Sequence, residues 1–527
     1  MRRSTMVSVY AMLVFLAAAA FGQAPSIRTE SDYNGWGWNA VVMSNGLVTM
    51  ATMPDIGARV MQYDLGDFAT LYVAADLIGQ THTPARGGLY QYGGFKNWPS
   101  PQSKWNWPPP PTLDYGKYTA EIAADTPDSV AVFVASPVEQ WLAPNIRFER
   151  RATIYRGTSR VRMEQTMINE GTASAEWGMW DITQVIVHHP GERDYENFWA
   201  YFPINPKSVF GSDGVRWDKS SAAWTGEVAD GVYGVQYRAE GKKIFADSHK
   251  GWIAYANRRD SIVSVKTFDL FEGNYPDEGA HVEVWINSSP AYMEVEVVSP
   301  VVRLSAAASG ANRYTFTENW WLTRMVDPVL DVTPVGALAE HMVYDPIGQR
   351  LMGRYGVFYE GTAKAAFFGN GTLIAEGAAH SVSPLRPFML EETVALPVGA
   401  DSVALRIFDG NGVLLGVLDD RTRFELTGVG DRGRTDGAGA SGFGIGPNYP
   451  NPFNGETVIP FDIPAPSEAS LRILTTGGRE VARLVEGRLE AGMHRCVWRP
   501  ADSASGLFVA VLDAGGVRRT RKLLLVN

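Results

Sequence analysis

Residues 86–118 read RGGLYQYGGFKNWPSPQSKWNWPPPPTLDYGKY, with two Gly-Gly pairs and four consecutive prolines. Proline lacks the N–H donor that a helix interior or a central strand requires, so this composition predicts a long ordered loop. Loops of such length inside compact domains are usually functional. Three tryptophans in the loop, Trp98, Trp105 and Trp107, offer flat apolar faces on a rigid backbone. Such faces suit either the C–H surface of a sugar ring or packing against a sheet edge, and the composition leaves both roles open.

On both sides of this loop, from residue 26 to 324, short alternating runs of apolar and polar residues are separated by Gly, Pro, Asn and Asp. Examples are Leu47–Met53, Val161–Ile168 and Ile262–Phe268. The two-residue period predicts an all-β domain. Fifteen of the 16 tryptophans precede residue 322, which marks this domain as the ligand-handling part.

The rest of the 527-residue chain divides by composition. Alternation continues in residues 356–368 and 402–408 with fewer aromatic residues, which predicts an accessory β-sandwich. Residues 428–446 are rich in Gly, Arg and Asp and read as a linker. The predicted domains are therefore 23–327, 328–427 and a small β module at 447–527.

The N-terminus predicts export. Residues 1–22 combine Arg2 and Arg3 with an apolar run and small residues at Ala20 and Gly22, the pattern of a cleaved signal peptide. The apolar core is too short for a membrane span, so we expect none after signal removal. A net charge of −10 argues against nucleic-acid binding, and the single cysteine, Cys496, excludes an intrachain disulfide.

The C-terminal module carries several motifs in order: YPNPFN, GGREV, AGMHRCVW, SGLF and a basic final strand. It resembles the sorting domains of the type IX secretion system, which are related to the Ig-like domain of the flagellar hook-capping protein. This resemblance implies a partner in the secretion machinery, passage across an outer membrane, and a secreted or cell-surface location. The alternative is an ordinary Ig-like binding domain.

The first domain also carries ordered motifs. They are IGARVMQYDLG (56–66), the GGFKNWPSPQSKWNWPPP loop (93–110), MINEGTASAEWGMWDITQV (167–185), HVEVWINSSPAYMEVEVVSP (281–300) and ENWWLTR (318–324). Together they resemble the galactose mutarotase-like superfamily, and more closely its uncharacterised branch, domain-of-unknown-function family 4380. The resemblance implies a β-supersandwich whose concave face binds carbohydrate. It does not fix the reaction, since the superfamily contains epimerases, lyase domains and hydrolase-associated domains.

One hairpin in this domain brings carboxylates together. The segments HVEVWIN and YMEVEV flank a turn near residue 289, and each alternates polar with apolar residues. A turn of two or four residues places Glu283 opposite Glu296 and Trp285 opposite Glu294, all on one face. Opposed carboxylates repel unless a proton, a cation or a substrate hydroxyl separates them. This predicts a raised pKa for at least one of Glu283, Glu294 and Glu296, or a calcium site at Glu283 and Glu296. The alternative is a solvated convex face.

In mutarotases a glutamate takes the anomeric proton and a histidine serves the ring oxygen. The resemblance implies that Glu294 or Glu296 is that glutamate. The histidine is harder to place, because His188 comes after the strand that resembles the corresponding region. His188 therefore has an alternative role as part of a strand-end turn. Lys96, in the Gly-Gly loop, is a further catalytic candidate.

The predicted sugar contacts are Trp98, Trp105, Trp107, Arg59, Trp180 and Trp285. No G-x-S-x-G, H-E-x-x-H or phosphate-binding loop is found, and no cofactor is required, with calcium as the suggested metal. We therefore expect a secreted carbohydrate-binding or carbohydrate-active protein. Isomerisation or glycan cleavage by carboxylate acid–base chemistry is the expected reaction class, and a non-catalytic surface protein that binds glycan or has a structural role is the alternative.

Overall fold

The structure, a computed structural model, describes residues 22–218, 225–229, 231–325, 327–345, 348–422, 444–445, 448, 453–463, 465–490, 492–500, 505–515 and 517–526. Apart from Gly22, the predicted signal peptide lies outside these residues, as does the predicted linker except for its residues 444–445. Within the described part, no helix has the length and apolarity needed to cross a bilayer.

The first unit is built from strands and one short helix. They are β1 (Ser26–Glu30), β2 (Ala40–Ser44), β3 (Val48–Met53), β4 (Arg59–Leu65), β5 (Phe68–Ala69), β6 (Phe95–Ser100), α1 (Pro111–Tyr115), β7 (Thr119–Asp125), β8 (Ser129–Ala135), β9 (Ile146–Tyr155), β10 (Val161–Asn169), β11 (Ala175–Val185), β12 (Phe198–Pro203), β13 (Val215–Asp218), β14 (Thr225–Ala229), β15 (Val232–Gln236), β16 (Lys242–Ala246), β17 (Trp252–Asn257), β18 (Ile262–Phe268), β19 (Val282–Ser288), β20 (Ala291–Val298), β21 (Val302–Leu304) and β22 (Arg313–Arg324). Short 3-10 helices lie at Tyr33–Gly35, Pro54–Ile56, Ala75–Leu77, Gln102–Lys104, Tyr195–Asn197 and Ala307–Ser309.

These strands form two large antiparallel sheets. The first sheet has the order β1-β2-β3-β4-β6-β11-β20-β19-β16-β13, with β5 beside β4 and β21 beside β11. The second sheet has the order β14-β15-β12-β17-β18-β22-β10-β9-β8-β7. Apolar residues of both sheets share one core, as Val284 and Val295 of the first do with Phe202 and Phe316 of the second. The predicted all-β class is confirmed.

A polar network crosses this core. Lys266 on the second sheet donates to Asp181 and, at 2.7 Å, to the Thr183 hydroxyl, both on the first sheet. Glu318 accepts a 2.8 Å hydrogen bond from Gln165 on the neighbouring strand. Because buried polar groups are stable only when they are paired, the contacts of Lys266 fix how the two sheets face each other, while the Gln165–Glu318 bond joins neighbouring strands of the second sheet.

The hairpin β19–β20 has the predicted register. Its turn consists of two residues, Ser289 and Pro290, between the paired residues Ser288 and Ala291. Glu283 lies opposite Glu296, and Trp285 lies opposite Glu294. The intervening residues, Val282, Val284, Ile286, Met293, Val295 and Val297, belong to the core. The polar face therefore points away from the second sheet, because successive strand residues alternate between faces.

The prediction that residues 86–118 form a loop is wrong in part. Phe95–Ser100 is a strand and Pro111–Tyr115 is one helical turn. Pro99 pairs with Met179 of β11, while the other neighbour, β4, contacts β6 only at Phe95. That side of Pro99 has no strand to receive an N–H, so proline is tolerated there, as it is on edge strands. Pro111 occupies the first helical position, where its missing N–H costs little.

Two smaller units follow. The second unit contains β23 (Asp331–Thr333), β24 (Gly336–Asp345), β25 (Arg350–Val357), β26 (Gly361–Gly369), β27 (Thr372–Glu376), β28 (His380–Val382), β29 (Phe388–Thr393), β30 (Ser402–Phe408) and β31 (Leu414–Thr422) in two sheets around one core. The third contains β32 (Gly444–Ile445), β33 (Thr457–Ile463), β34 (Ser467–Thr475), β35 (Glu480–Leu489), β36 (Gly492–Trp498), β37 (Gly506–Ala514) and β38 (Val517–Leu525), also in two sheets. β32 falls inside the predicted linker and pairs with β33. The domain boundaries stay predictions.

Candidate functional site

A cavity of about 580 Å³ opens on the outer face of the first sheet, over β6, β11, β20, β19, β16 and β13. It is lined by Gln91, Trp98, Gln102, Trp107, Trp180, Arg216, Asp218, Lys243, Phe245, Asp277, Glu283, Trp285, Asn287, Tyr292 and Glu294. The polar face of the β19–β20 hairpin forms its floor. The cavity therefore combines indole rings with carboxylates, amides and two cationic side chains.

The centre of this floor is an ion-pair cluster that the sequence did not predict. Lys243 on β16 places its Nζ 2.6 Å from Glu283 Oε2 and 2.8 Å from Glu296 Oε2. The indole N–H of Trp180 donates to the same Glu296 oxygen at 2.9 Å. Glu283 and Glu296 are 1% and 0% exposed, so Lys243 is the counter-ion that makes their burial tolerable.

Charge in this cluster is distributed unequally. Burial raises the pKa of Glu283 well above its ordinary value, and the Glu296 charge raises it further. Burial would also raise the pKa of Glu296, but Lys243 and hydrogen bonds from the neighbouring carboxyls hold it below the ordinary value. Burial alone would lower the pKa of Lys243, yet the two glutamates raise it. Lys243 opposes the rise at Glu283 and lowers the pKa of Glu296, so the pKa values of the two buried glutamates are shifted in opposite directions around one ammonium.

Glu294 is the carboxyl of the hairpin that the ion pair leaves to the cavity. It is 8% exposed, and its Oε1 accepts a 2.7 Å hydrogen bond from Gln184 on β11. Lys96 Nζ lies 3.8 Å from the same oxygen and donates to Gln91 at 3.1 Å. Burial raises the pKa of Glu294 to about 7, with a further contribution from Glu296, while Lys96 opposes the rise. Burial lowers the pKa of Lys96 to about 8. Both groups therefore change charge near neutral pH.

The predicted tryptophans divide into cavity and core residues. Trp98, Trp107, Trp180 and Trp285 line the cavity, and Trp107 is 52% exposed at its rim. Trp105 does not line it. Trp105 is 4% exposed, donates to the Pro99 carbonyl at 2.8 Å and packs edge-on against Trp98, with ring centroids 5.6 Å apart. The prediction that Trp105 contacts sugar is corrected: it is a packing residue.

Arg59 also lies away from the cavity. It is fully buried, with one guanidinium nitrogen 2.7 Å from Asp114 Oδ1 and another 3.0 Å from the Gly93 carbonyl. Trp98 donates to the same Asp114 oxygen at 2.8 Å. Arg59 thus anchors the loop and helix α1 to β4, and the structure corrects its predicted role in substrate binding.

His188 is not brought to the cavity. Its Nδ1 lies 3.0 Å from the His189 carbonyl oxygen, and its ring is 6.2 Å from that of Tyr195. The neighbouring His189 is held between Asp194 and Asp260, at 2.6 and 2.7 Å. These contacts agree with the alternative interpretation of His188 as part of a strand-end turn.

Sequence reasoning missed Lys243 and Arg216. Both lie on strands whose neighbours are distant in sequence: Lys243 pairs with Trp285, and Arg216 pairs with Phe245. Arg216 lies over the Phe245 ring at 3.9 Å and 3.4 Å from Glu278. The alternation in KKIFA could have predicted a strand, but no local signal could have predicted its partner.

Lys243 also occupies the position that the sequence predicted for calcium, because its ammonium already bridges Glu283 and Glu296. Across the described residues, no group of three or more His, Cys, Asp or Glu side chains is arranged to hold a metal ion. The chain itself therefore supplies, in Lys243, a cation for these two glutamates.

Comparisons with known proteins find structural similarity without sequence similarity. No family model and no curated protein matches the chain. Similar solved structures include a galactose mutarotase-like protein from Clostridium acetobutylicum, with TM-score 0.38 and 12% identity, covering 57% of this chain and 99% of that one. A galactose mutarotase-like protein from Lactobacillus casei has TM-score 0.36 and 10% identity, covering 54% and 99%. A TPR-domain containing protein from Parabacteroides distasonis has TM-score 0.38 and 13% identity, covering 56% of this chain and only 49% of that one. Similarity at this level carries no argument about activity.

Proposed function

We propose that the cavity on the first sheet binds carbohydrate and that Glu294 transfers protons to and from the bound sugar. The observation that carries this proposal is a carboxyl with a pKa of about 7 that lines a tryptophan-walled cavity. General acid–base groups are most effective when their pKa lies near the working pH. Strongly shifted groups in a cleft are also typical of functional sites.

The cavity suits a sugar in size and in chemistry. Its volume of about 580 Å³ falls within the range of small-molecule sites. Trp107 and Trp285 supply ring faces for the C–H surface of a sugar, and Gln91 and Asn287 supply amides for its hydroxyls. Rigid aromatic rings contribute contact area at little conformational cost, which favours them in such a site.

The three carboxyls of the β19–β20 hairpin, taken by themselves, favour isomerisation over glycan cleavage. Glycoside hydrolysis ordinarily needs two working carboxyl groups on either side of the bond. In the hairpin, Glu283 and Glu296 are held by Lys243, and Glu294 is the carboxyl left to act. Asp218 and Asp277 line the cavity from other elements. One such group is enough: Glu294 takes the anomeric hydroxyl proton as the C1=O double bond forms and the C1–O5 bond breaks, and it then delivers the same proton to O5. Closing the ring on the other face of C1 inverts the anomeric centre.

Lys96 contributes to this chemistry through the charge of Glu294. Its ammonium, 3.8 Å from the Glu294 carboxylate, stabilises the ionised form that acts as base. When Glu294 holds the proton, Lys96 loses this favourable interaction. The pair thereby keeps the Glu294 pKa from rising further in a buried site, as the opposing effect of Lys96 on that pKa indicates.

A second candidate function, non-catalytic glycan binding, has its own supporting observation. Trp107 is 52% exposed at the rim, beside Trp98 with ring centroids 5.9 Å apart. An exposed aromatic platform beside neutralised carboxylates is sufficient for binding without chemistry. Product analysis separates the two functions, because only the enzyme changes its ligand.

We also propose that the protein is exported through an outer membrane by type IX secretion machinery. The support is the signal-peptide pattern in residues 1–22 and the ordered motifs of residues 447–527. Deleting residues 447–527 should retain the protein inside the cell. Normal release of the truncated protein would remove this assignment.

The carbohydrate proposal is tested by a glycan array followed by calorimetry and product analysis on the sugars that bind. Glu294→Gln should keep affinity within a few-fold and lose turnover, because the amide preserves shape but cannot accept a proton. Glu121→Gln is the matched control, since Glu121 is exposed on β7 of the other sheet. Unchanged turnover in Glu294→Gln would exclude the catalytic role, and absence of any bound sugar would exclude the site.

A further inference from the structure

A second cavity, of about 460 Å³, lies between the outer face of the second sheet and the second unit. We propose that it is a separate binding site for a negatively charged sugar unit. The residues that carry this proposal are Arg160, Lys250, Trp252, Asn319, Trp321 and Tyr359, all of which line the cavity. It shares no lining residue with the cavity over Glu294, so the proposal does not depend on the function of that site.

The walls of this cavity are held in place by the junction of two units. Trp321 of β22 stacks on Phe358, which follows β25, with ring centroids 4.6 Å apart. The Phe358 carbonyl accepts hydrogen bonds from the Thr158 hydroxyl at 2.7 Å and from the Ser159 N–H at 3.0 Å. Both partners precede β10 of the first unit. The cavity is therefore formed before a ligand arrives, which reduces the entropic cost of binding.

The charge of the cavity is positive. Arg160 and Lys250 line it, and none of its described lining residues carries a carboxylate. Lys250 has a carboxylate partner in Asp331, at 2.7 Å. Arg160 donates to the neutral Asn319 Oδ1 at 2.8 Å, and among the described residues it forms no ion pair. An unpaired guanidinium beside a preformed cavity is suited to a ligand carboxylate, since Arg binds this group through two parallel hydrogen bonds.

A buried donor also lacks a partner. Trp252 is 3% exposed and lines the cavity, yet its indole N–H makes no hydrogen bond to any residue that the structure describes. Buried donors are almost always paired, and each exception calls for an explanation. An acceptor atom on a ligand would satisfy this N–H. The indole N–H of Trp252 and the guanidinium of Arg160 are both donors, which favours an anionic, oxygen-rich ligand.

The remaining surface is aromatic. Trp321 and Tyr359 line the cavity with ring centroids 5.9 Å apart, and Arg160 lies 5.7 Å from the Trp321 ring. Aromatic faces suit the C–H surface of a sugar ring, and the cation suits its charged substituent. A hexuronic acid residue combines both features. We therefore assign the class as glycan units that carry a carboxylate.

This site is tested by calorimetry on the full chain. The affinity for a glucuronic acid disaccharide is compared with the affinity for the same disaccharide after its carboxyl groups have been reduced to neutral alcohols. The acidic form should bind and the neutral form should bind at least about tenfold more weakly, because the charge-assisted contact is lost. Arg160→Gln should weaken the binding of the acidic disaccharide by about tenfold or more. The matched control is Arg162→Gln, since Arg162 lies two residues further along and is paired with Glu164.

Two further variants keep the test decisive. Trp252→Phe keeps an aromatic ring but removes the indole N–H, so it should weaken binding of the acidic disaccharide. This variant tests the site independently of whether Arg160→Gln folds. Glu294→Gln should leave this binding unchanged, which separates the second site from the proposed function. Equal affinity for the acidic and neutral forms, or full affinity in both Arg160→Gln and Trp252→Phe, would overturn the proposal.

Discussion

Replacing Lys243 by Met tests the electrostatic basis of the cavity floor. The substitution keeps most of the side-chain volume but removes the ammonium that lies 2.6 and 2.8 Å from Glu283 and Glu296. Removing one partner of a buried ion pair typically costs about 3–5 kcal/mol, because the remaining charge is left without compensation. Since Glu296 is 0% exposed, we expect a loss of free energy of unfolding in this range at pH 8.

The loss should depend on pH with a definite sign. In the native protein Lys243 holds the Glu296 pKa below its ordinary value of 4.5, so this group adds stability above that pH and loses it on acidification. In Lys243→Met the pKa of Glu296 should rise, and the variant should lose stability as pH increases above about 4.5. The difference between the two proteins should therefore shrink toward pH 4.

Urea unfolding followed by tryptophan fluorescence reports mainly on the first unit, which contains Lys243, because 15 of the 16 tryptophans precede residue 322. Lys117→Met is the control, since Lys117 is 75% exposed in its 2.8 Å pair with Asp55. Exposed ion pairs contribute little, so that variant should stay near the native stability. Adding Glu296→Gln to Lys243→Met should recover part of the loss by removing the unpaired charge. Native-like stability of Lys243→Met at pH 8, or a loss that does not change with pH, would refute the reasoning.

Four further predictions concern Glu294, the loop tryptophans Trp107 and Trp105, and the last unit. Burial raises the Glu294 pKa from 4.5 to about 7. As pH rises through that interval, the free energy of unfolding of the native protein should therefore fall by about 3 kcal/mol relative to that of Glu294→Gln. Urea unfolding measures this difference, and parallel pH curves for the two proteins would contradict the prediction. Trp107→Ala should weaken sugar affinity in calorimetry with an almost unchanged melting temperature, since Trp107 is 52% exposed. Trp105→Ala should instead cost about 3–5 kcal/mol of stability, since Trp105 is 4% exposed in the core, and a stable variant with lost affinity would reverse this assignment. Deleting residues 447–527 should block export while leaving sugar affinity unchanged, and weakened binding by the truncated protein would show that the last unit contributes to the site.

The part of the site that was predictable from sequence follows from strand geometry. Alternation with a period of two fixes which side chains share a face, and a two-residue turn fixes the register. These rules alone placed Glu283 opposite Glu296 and Trp285 opposite Glu294, as the structure has them. A raised pKa for at least one of the three glutamates was also predicted, from repulsion between the carboxyls, but the main cause of the rise at Glu294 is burial, with a smaller contribution from Glu296.

The remaining features depend on contacts between distant parts of the chain. Lys243 meets Glu283 because β16 lies beside β19, about forty residues later in the sequence. Trp105 and Trp107 differ by two positions in one aromatic run, yet one is in the core and the other is exposed. Between them Asn106 has φ of 61°, in the left-handed region, which redirects the chain. Neither the neighbour of a strand nor the direction of such a turn is encoded in local composition.

The rate of anomer interconversion of a bound sugar, measured by NMR exchange from pH 5 to pH 9, tests most directly the claim that Glu294 transfers protons. The native protein should show a rate that rises through a midpoint near the Glu294 pKa of about 7. Glu294→Gln should bind the same sugar with a rate no higher than that of the free sugar across this range. A variant that keeps the native rate and the native midpoint would contradict the account.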